Sequence, residues 1–397
     1  MAPLLSLEEA QRRILDRVVP LPAEPVELTE AAGRILAEAA SASVDLPPFD
    51  ASAMDGFAVR SEDTPGRLPV VERIAAGRPA SRPLGAGEAM GIATGAAVPE
   101  GVDAVIPLEY VVDDDNEIEI AGRVEAGANI RPRGGDLRAG DVVVASGQRL
   151  GPAQLGALAA AGVADISSAK RPRAAVLSTG SELRRPGETL EPGQIYEANS
   201  VLLGAQLESA GARVEQLEAV ADDEGAHRAA LERGLESDLL VTSGGVSVGP
   251  HDLVRSVGAE LGVEEVLWGV AVKPGKPLWF GVRDRTLVFG LPGNPVSSLV
   301  CFELFVRPAV LALQRASEQL PQFEPGKLAR SLRPNAVRTE LVRARSRVGD
   351  GVVELEVLTG QDSHMIARAA GANALVLIPP GEDELEASAR VSFLRLA

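Results

Sequence analysis

From residue 174 onward the chain repeats one pattern: a short apolar strand, a turn, and then a helix. The repeats begin at AAVLSTG, RVEQLEAV, DLLVTSGG and TLVFGLPG, and the helices are expected near Asn199, over 223–236, after His251 and after Asn294. Strands that alternate with helices at this spacing form βαβ units, in which the strands are parallel and helices cover both faces of the sheet. The pattern therefore predicts a central, doubly wound, mostly parallel α/β domain.

The other segments predict three further domains. Ser6 with Glu9 is typical of a helix N-terminus, a shorter helix is expected over 29–39, brief β-branched runs fill 46–144, and alternating strands follow residue 319. We therefore assign 1–45 with 145–172 to a helical linker domain and 46–144 to a β-rich domain. The α/β domain is expected over 173–318 and a small C-terminal β-domain over 319–397. A length of 397 residues agrees with several domains.

Charge and cysteine content exclude several protein classes. The chain has 39 Lys and Arg against 56 Asp and Glu, a net charge of −17, which opposes binding along a nucleic-acid backbone. The single Cys301 cannot form an intrachain disulfide, and three dispersed histidines do not fit structural zinc. The apolar stretch 296–313 contains Glu303 and Arg307, so we expect a packed helix rather than a membrane span. The N-terminus has no signal-peptide pattern, and a cytoplasmic protein is expected.

Three glycine-containing turns follow strands of the predicted sheet. They are STGSE at 178–182, SGGVSVG at 243–249 and GLPGNP at 290–295. The carboxyl ends of parallel strands meet at one sheet edge, where glycine lets a ligand approach the backbone. Any one of these turns could be only a tight strand-to-helix connection. Because three occur together, we expect an anion or phosphoester site here, with Gly244, Gly245, Pro292 and Pro295 in it.

Carboxylates accompany these turns. Glu182 follows the first turn, Asp222 and Asp223 follow the next strand, and Asp252 follows the second glycine turn. Carboxylate oxygens beside a bound phosphate are typical magnesium ligands, so the pattern predicts a Mg²⁺ site. In the alternative interpretation, Asp223 is only a helix cap and Glu182 only a first-turn acid that the helix dipole favours.

The segment KPGKP at 273–277 combines two lysines with two prolines and a glycine. Surface lysines are normally solvated, but this restrained backbone favours a site in which Lys273 and Lys276 hold an oxyanion. The chain contains no GxxxxGK[ST] motif and no GxGxxG motif that opens a βαβ unit. Nucleotide hydrolysis of the P-loop type and ordinary dinucleotide binding therefore lose their main support.

The β-rich region contains an unusual string, PPFDASAMDGFAV at 47–59. Asp55 and Gly56 are typical of a turn that leads into a strand, but a turn does not explain the small residues before them. Thr94 and Asp136 lie in comparable glycine-flanked loops. Spacing alone does not connect these residues with the α/β site.

Eight motifs occur in order: SAMDGFAV, IATGAAVP, GDLRAGDVV, STGSEL, GQIYEANS, SGGVSVGPHDLV, VKPGKPLWFG and GLPGNPVSS. Together they resemble the molybdopterin molybdenumtransferases, the molybdenum-insertion enzymes of molybdenum cofactor biosynthesis, which are similar to the E domain of gephyrin. The resemblance covers nearly the whole chain. It implies a transferase that takes adenylylated molybdopterin, molybdate and Mg²⁺, releases AMP, and works as an elongated homodimer.

The resemblance also implies a role for each candidate residue. Glu182, Asp222 and Asp252 would be acidic residues near Mg²⁺ and the adenylate, with Asp223 as the alternative to Asp222. The molybdate pocket would contain Lys273, Lys276, Arg343 and Ser363, with Ser297 at its edge. Asp55, Thr94 and Asp136 would face the site across the dimer interface. No adenylylating domain is fused here, so a separate molybdopterin adenylyltransferase is expected to hand over the substrate.

Two other functions stay open at this point. The gephyrin resemblance allows a scaffold that binds receptor peptides without catalysis. A magnesium-dependent nucleotidyl or phosphoryl transferase that acts on another pterin or nucleotide would use similar residues. The acidic residues and KPGKP argue against a purely structural role.

Overall fold

The structure, a computed structural model, describes residues 4–114, 116–221, 223–245, 253–349 and 351–396. Asp222, Asp252 and residues 246–249 of the second glycine turn lie outside the described residues. A π-helical turn, Phe302–Val306, joins the sixth helix to the seventh. The helices are α1 (Leu7–Leu15), α2 (Pro152–Ala160), α3 (Asn199–Ser209), α4 (Glu224–Gly234), α5 (Leu253–Glu260), α6 (Pro295–Cys301), α7 (Arg307–Leu313) and α8 (Ile366–Ala369).

The strands fall into three groups along the chain. The first group is β1 (Ala23–Glu27), β2 (Ala40–Ser41), β3 (Ala51–Ser52), β4 (Gly56–Val59), β5 (Gly66–Ile74), β6 (Ala89–Ile92), β7 (Ala104–Pro107), β8 (Val111–Asp113), β9 (Glu117–Ile120), β10 (Ile130–Arg131) and β11 (Val142–Val144). The second is β12 (Asp165–Ala169), β13 (Arg173–Ser178), β14 (Leu183–Arg184), β15 (Ile195–Tyr196), β16 (Arg213–Gln216), β17 (Leu239–Ser243), β18 (Glu264–Trp268), β19 (Val272–Lys273), β20 (Trp279–Arg283) and β21 (Thr286–Leu291). The third is β22 (Phe323–Leu328), β23 (Thr339–Gly349), β24 (Val352–Val357), β25 (Ala374–Ile378) and β26 (Arg390–Arg395).

Helix α1 begins where the sequence predicts. The backbone N–H of Glu9 donates to Ser6 Oγ at 3.2 Å, which satisfies one of the free donors of the first turn. Leu7, Ala10 and Ile14 recur at helical spacing and are buried. They pack into the hydrophobic core of the α/β domain, so this helix covers that domain rather than the linker strands.

The helix predicted over 29–39 is wrong. The structure has only a 3₁₀ turn, Leu28–Glu30, and Gly33 follows with a φ of +72°, which a right-handed helix cannot contain. Beyond it, the N–H of Leu36 donates to Gln148 O at 3.0 Å. Strands β1 and β12 pair antiparallel, as do β2 and β11. The expected helical linker is therefore built mainly from strand pairs, with α2 packed against them.

The β-rich region forms one six-stranded sheet in the order β7-β4-β6-β5-β9-β8, and β3 pairs with β10 beside it. Alternate side chains of β4 enter two cores: Phe57 and Val59 join one, and Ala58 joins the other. Both faces of this strand are therefore covered by protein.

The α/β domain contains a six-stranded sheet in the order β16-β13-β17-β21-β20-β18. The first four strands are parallel, and the β21–β20 and β20–β18 pairs are antiparallel. Val176 and Val241 pack on the face covered by α1, α3 and α7, whereas Leu177 and Leu240 pack on the face covered by α4 and α5. This alternation confirms the predicted mostly parallel sheet with helices on both faces.

The C-terminal strands close into a barrel. The sheet runs in the order β19-β23-β24-β22-β26-β25, and an additional β23–β25 pairing closes the last five strands into a ring, with β19 beside β23. Closure removes the free sheet edges that an open β-domain would expose. Leu341, Leu375 and Leu394 of the barrel pack against the core of the α/β domain.

Among the described residues, one helical run, Pro295–Leu313, is long and apolar enough to cross a membrane by composition. Its mean hydropathy is 1.8, and 83% of this window is buried inside the protein. The run contains α6, the π-helical turn and α7. Its burial is that of a core helix, as the sequence predicts.

We expect Ser6→Ala to lower the free energy of unfolding by about 1 kcal/mol, because the first turn of α1 loses its side-chain cap. Ser6→Asp should retain most of the stability, since Asp caps a helix as well as Ser does. Urea unfolding of the full chain measures both. Equal stability of Ser6→Ala and the original protein would show that the cap contributes nothing.

Candidate functional site

The three predicted glycine turns start side by side. In the sheet, Ser178 of β13 is the register partner of Ser243 of β17, which in turn pairs with Leu291 of β21. Neighbouring strands lie about 4.8 Å apart, so all three turns leave the sheet at the same level. The N–H of Thr179 donates to Ser243 O at 3.0 Å, and the N–H of Gly244 donates to Leu291 O at 3.1 Å.

Glycine is required where the second turn meets its neighbours. Gly244 has a φ of +94°, and a Cβ there would lie 2.6 Å from Thr179 O. A Cβ on Gly293 would lie 3.7 Å from the Cα of Gly244. Gly245 has a φ of +65°, and a Cβ there would lie 2.9 Å from Val254. Where the structure describes them, the turns thus lie backbone against backbone, an arrangement that suits a bound phosphate.

A buried polar network supports this surface. Asn199, the first residue of α3, donates from Nδ2 to Ser243 Oγ and to Gly293 O, both at 2.7 Å. Ser298 Oγ donates to Pro292 O at 2.6 Å. The Oδ1 atom of Asn199 is buried and has no partner among the described residues. One amide side chain therefore fixes the second and third turns relative to each other.

The structure adds an acidic residue that the sequence analysis did not assign. Glu197 is buried, and its carboxylate accepts hydrogen bonds from Ser178 Oγ at 2.8 Å and from the backbone N–H of Ser200 at 2.8 Å. Ser200 Oγ also bonds to Glu197. These contacts tie the end of β13 to the first turn of α3. The motif GQIYEANS contains both Glu197 and Asn199, but spacing alone gave no role to either.

Glu182 lies on the same edge of the sheet. It is exposed, and its carboxylate folds over Gly180, where an added Cβ would meet Oε2 at 2.6 Å. A cleft of about 460 Å³ opens beside this turn, at the carboxyl ends of β13 and β16. Its walls include Ser178, Arg184, Glu197 and Gln216. This cleft is within the size range of small-molecule sites.

The two lysines of KPGKP differ in their surroundings. Lys273 Nζ forms an ion pair with Glu340 Oε1 at 2.8 Å, and the Glu340 side chain is only 14% exposed. Lys276 is exposed and has no side-chain hydrogen bond or ion pair among the described residues. The expected pair of free ammonium groups is therefore one free lysine and one lysine already neutralised by a carboxylate.

The loop between these lysines rests on Cys301. The thiol donates to Gly275 O at 3.6 Å, and Gly275 has a φ of +121° with no space for a Cβ, which would lie 2.6 Å from the sulfur. Burial raises the pKa of Cys301 to about 12. This cysteine therefore stays a thiol and supports the loop by packing.

Arg343 lies under the surface rather than on it. Its side chain is 1% exposed, and it donates to Gln361 Oε1 and to the carbonyl oxygens of Gly360, Asp362 and Met365. Burial lowers the pKa of Arg343, and the Asp362 carboxylate opposes that effect. In this conformation Arg343 shapes the 360–365 loop from below. Its expected place in the molybdate pocket stays a prediction, and in this structure its guanidinium is engaged with that loop.

The loop that Arg343 shapes reaches the third glycine turn. The N–H of Val296 donates to Ser363 O at 3.1 Å, and Asn294 Nδ2 donates to Ser363 Oγ at 2.9 Å. Ser297 is 4% exposed in the first turn of α6. The structure thus brings together Ser363, Ser297, Pro292, Pro295 and Gly244 from two domains.

The candidates in the β-rich domain lie elsewhere. The N–H of Thr94 donates to Asp55 Oδ1 at 2.8 Å, so these two residues share one exposed loop cluster. Asp136 is exposed, and its N–H donates to Leu46 O at 3.0 Å. Within the described chain, no hydrogen bond or ion pair joins these three residues to the α/β turns.

Of the two neighbouring aspartates 222 and 223, the structure describes only Asp223. Asp223 Oδ1 accepts the N–H of Ala226 at 2.8 Å, which makes Asp223 the N-cap of α4. Its carboxylate is therefore engaged in the fold, while Asp222 lies outside the described residues. Where the structure describes the chain, no three His, Cys, Asp or Glu side chains converge as a metal site.

Family models match the chain over most of its length. Residues 5–162 match the MoeA N-terminal region (domains I and II), 175–312 match a probable molybdopterin binding domain, and 325–396 match the MoeA C-terminal region (domain IV). The chain is 38% identical to molybdopterin molybdenumtransferase 2 of Mycobacterium tuberculosis over 97% of each sequence. It belongs to the molybdopterin molybdenumtransferase family. A relative of Haemophilus influenzae with the name molybdopterin molybdenumtransferase is 34% identical over 98% of each sequence.

A solved structure agrees with this family membership. The molybdopterin biosynthesis MoeA protein from Pyrococcus horikoshii superposes with a TM-score of 0.82 at 32% identity, over 99% of each chain. The chain is thus an enzyme of the transferase class with a role in molybdenum cofactor biosynthesis. The resemblance inferred from the eight motifs is confirmed.

We expect Gly275→Ala to lower the free energy of unfolding by about 2 kcal/mol, because the new Cβ would be strained at this φ and would overlap the Cys301 sulfur. Gly122→Ala is the matched control, since a Cβ there meets nothing within 4 Å. Thermal or urea unfolding of the full chain measures both. If the two variants were equally stable, the Gly275–Cys301 contact would not support the loop.

Proposed function

We propose that this enzyme inserts molybdenum into adenylylated molybdopterin, using molybdate and Mg²⁺ and releasing AMP. The observation that carries the proposal is the registered row of glycine turns, the third of which leads into α6, the helix whose Cys301 contacts the KPGKP loop. Backbone at the carboxyl ends of parallel strands suits the phosphates of the adenylylated substrate. The ammonium group of Lys276 on the KPGKP loop suits an oxyanion.

Charge explains why a local site is needed. Molybdate is a dianion, the phosphorylated pterin substrate is negative as well, and the protein carries a net charge of −17. Binding therefore needs cations and N–H donors concentrated at one place. Lys276 would attract molybdate directly, while Lys273 shares its charge with Glu340. Ser363 and Ser297 would add hydroxyl donors from the adjacent loop and helix.

The substrate would occupy the edge of the sheet in two parts. The glycine turns would hold the phosphoanhydride, and the neighbouring cleft of about 460 Å³ is large enough for a fused ring system. In the reaction, water attacks the phosphoanhydride and AMP leaves. The two dithiolene thiols form bonds to molybdenum, and one molybdate oxygen departs as water with the two thiol protons. The protein contributes mainly position and electrostatic stabilisation.

The three carboxylates Glu182, Asp222 and Asp252 fit Mg²⁺ by chemistry, because this ion prefers oxygen ligands and bridges them to phosphate. When bound, Mg²⁺ would neutralise charge on the phosphates. Glu182 supports this role, since its carboxylate is exposed at the end of the first glycine turn and no described cation pairs with it.

A homodimer would complete the site. Asp55, Thr94 and Asp136 are exposed, and among the described residues no hydrogen bond or ion pair joins them to the α/β turns of their own chain. A second copy of this chain would bring them to the site. We further propose a cytoplasmic enzyme that receives its substrate from a separate molybdopterin adenylyltransferase.

The deciding assay supplies the purified protein with adenylylated molybdopterin, MgCl₂ and molybdate. AMP release and the formation of active cofactor are followed together. The proposal expects both to rise in parallel and to need molybdate. AMP release without active cofactor would favour another nucleotidyl or phosphoryl transfer instead, and no reaction at all would favour a scaffold.

We expect Lys276→Ala to weaken molybdate binding about tenfold, because one charged hydrogen bond is lost. Glu340→Gln should strengthen molybdate binding, since it releases the ammonium group of Lys273 from its ion pair. Calorimetric titration with molybdate measures both, and titration with AMP is the control that should change little. Equal losses of molybdate and AMP affinity in Lys276→Ala would contradict a dedicated oxyanion pocket.

Substitutions of the two neighbouring aspartates should affect enzyme activity differently. We expect Asp222→Asn to slow AMP release about a hundredfold or more in the presence of Mg²⁺, as Asp252→Ala should. Asp223→Asn should leave turnover nearly unchanged, because Asn caps a helix as well as Asp does. Steady-state assays at several MgCl₂ concentrations compare them. A larger loss in Asp223→Asn than in Asp222→Asn would assign the acidic role to Asp223.

A further inference from the structure

A basic edge lies on the side of the α/β sheet opposite the glycine turns. In sheet order, Arg213 begins β16, Arg173 begins β13, and Arg285 directly precedes β21. Lys170 lies just before β13. We call these four residues the basic edge. Neighbouring strands are about 4.8 Å apart, so the row is about 14 Å long, and it lies roughly 17 Å from the glycine turns, the length of one strand.

Four cations lie here close to two carboxylates, those of Asp238 and Asp284. Arg173 and Arg213 are direct register partners in the sheet, an arrangement in which like charges repel. Among the described residues, the side chains of Lys170, Arg213 and Arg285 have no hydrogen bond or ion pair. Asp238 is the nearest partner of Arg173, at 3.9 Å, and the guanidinium of Arg173 also donates to Glu236 O at 2.6 Å.

Charges of both signs lie next to the basic edge. Burial lowers the pKa of Arg171, and the positive charges of Arg34 and Arg213 lower it further, while Glu24 opposes them. Glu24 is itself engaged, since it forms an ion pair with Arg34 at 2.5 Å. Asp284 precedes Arg285 in the turn between β20 and β21. The surroundings therefore add cations as well as carboxylates to this part of the surface.

An apolar floor accompanies the charges. Lys170, Arg173 and Arg285 surround a cleft of about 440 Å³, which Asp238 also lines and whose other walls include Leu21 and Leu313. Val19 in the same wall is 43% exposed. The floor is fixed by backbone hydrogen bonds, from Leu21 N to Leu313 O at 2.9 Å and from Lys170 N to Pro22 O at 3.1 Å. A ligand that fits this surface must combine negative charge with an apolar group.

We propose that the basic edge is a docking surface for an extended, acidic segment of a partner protein that carries an apolar side chain. An extended chain advances about 3.3 Å per residue, so about four or five residues would span the row. Asp and Glu side chains would pair with the four cations while the apolar side chain enters the cleft. Because the whole chain has a charge of −17, an acidic partner is repelled from most of the surface and is steered to this edge.

Other occupants fit less well. The cations of the basic edge are exposed and lie in a row, whereas a small anion is held best by donors that converge on one point. A nucleic acid extends far beyond four cations and would meet the negative remainder of the surface. Neither a small anion nor a nucleic acid would make use of the apolar floor of the cleft.

The test uses the full-length protein and a fluorescein-labelled peptide of about ten residues that alternates Glu and Asp with two leucines. Fluorescence anisotropy measures binding at low and at physiological salt. We expect the original protein to bind this peptide, and the double variant Lys170→Glu/Arg285→Glu to bind it at least about tenfold more weakly, since two ion pairs become repulsions. The matched control is Arg330→Glu/Arg333→Glu, which makes the same charge change at exposed positions of the C-terminal domain.

The control should bind as the original protein does, and AMP release should be unchanged in both double variants because the edge is far from the glycine turns. Equal binding by both double variants, or no peptide binding by the original protein, would overturn the proposal. Tighter binding of inorganic phosphate or duplex DNA than of the peptide, with the same sensitivity to Lys170→Glu/Arg285→Glu, would also overturn it. A change of oligomeric state in that variant alone would reassign the edge to contact between copies.

Discussion

The common register of β13, β17 and β21 is the constraint on which the site depends. Backbone hydrogen bonding fixes this register, and it places Ser178, Ser243 and Leu291 side by side at the sheet edge. Each strand then turns within a few residues, and each turn contains glycine. Because hydrogen-bonded strands cannot slide without losing their ladder, three segments far apart in sequence present backbone to the same small volume.

The rest of the site is held in place by buried polar side chains. Buried amide, hydroxyl and guanidinium groups need hydrogen-bond partners, and here those partners lie in the turns and loops of the site. Asn199 links two turns, Glu197 ties a strand to a helix, and Arg343 organises the loop that contains Ser363. The residues that stabilise the interior are therefore the residues that position the surface.

The protein has a net charge of −17, so anion binding depends on local groups of cations. One such group is the KPGKP loop, where Lys273 pairs with Glu340 and Lys276 has no side-chain partner among the described residues. Another is the basic edge, at the ends of β16, β13 and β21 opposite the glycine turns. The sheet separates the basic edge from the glycine turns by about the length of one strand.

The sequence by itself determined the α/β domain, the three glycine turns and the family, because alternating apolar residues and turn glycines are local signals. The helix prediction failed over 29–39, because hydrogen-bond partners more than a hundred residues away and the positive φ of Gly33 prevent a helix there. Only the tertiary structure decided that Arg343 is buried, that Lys273 pairs with Glu340, that Asp223 caps a helix, and that β23 closes the barrel with β25. Apart from the cap, each of these depends on contacts between distant segments, and the number of possible long-range partners is too large for spacing along the chain to select one.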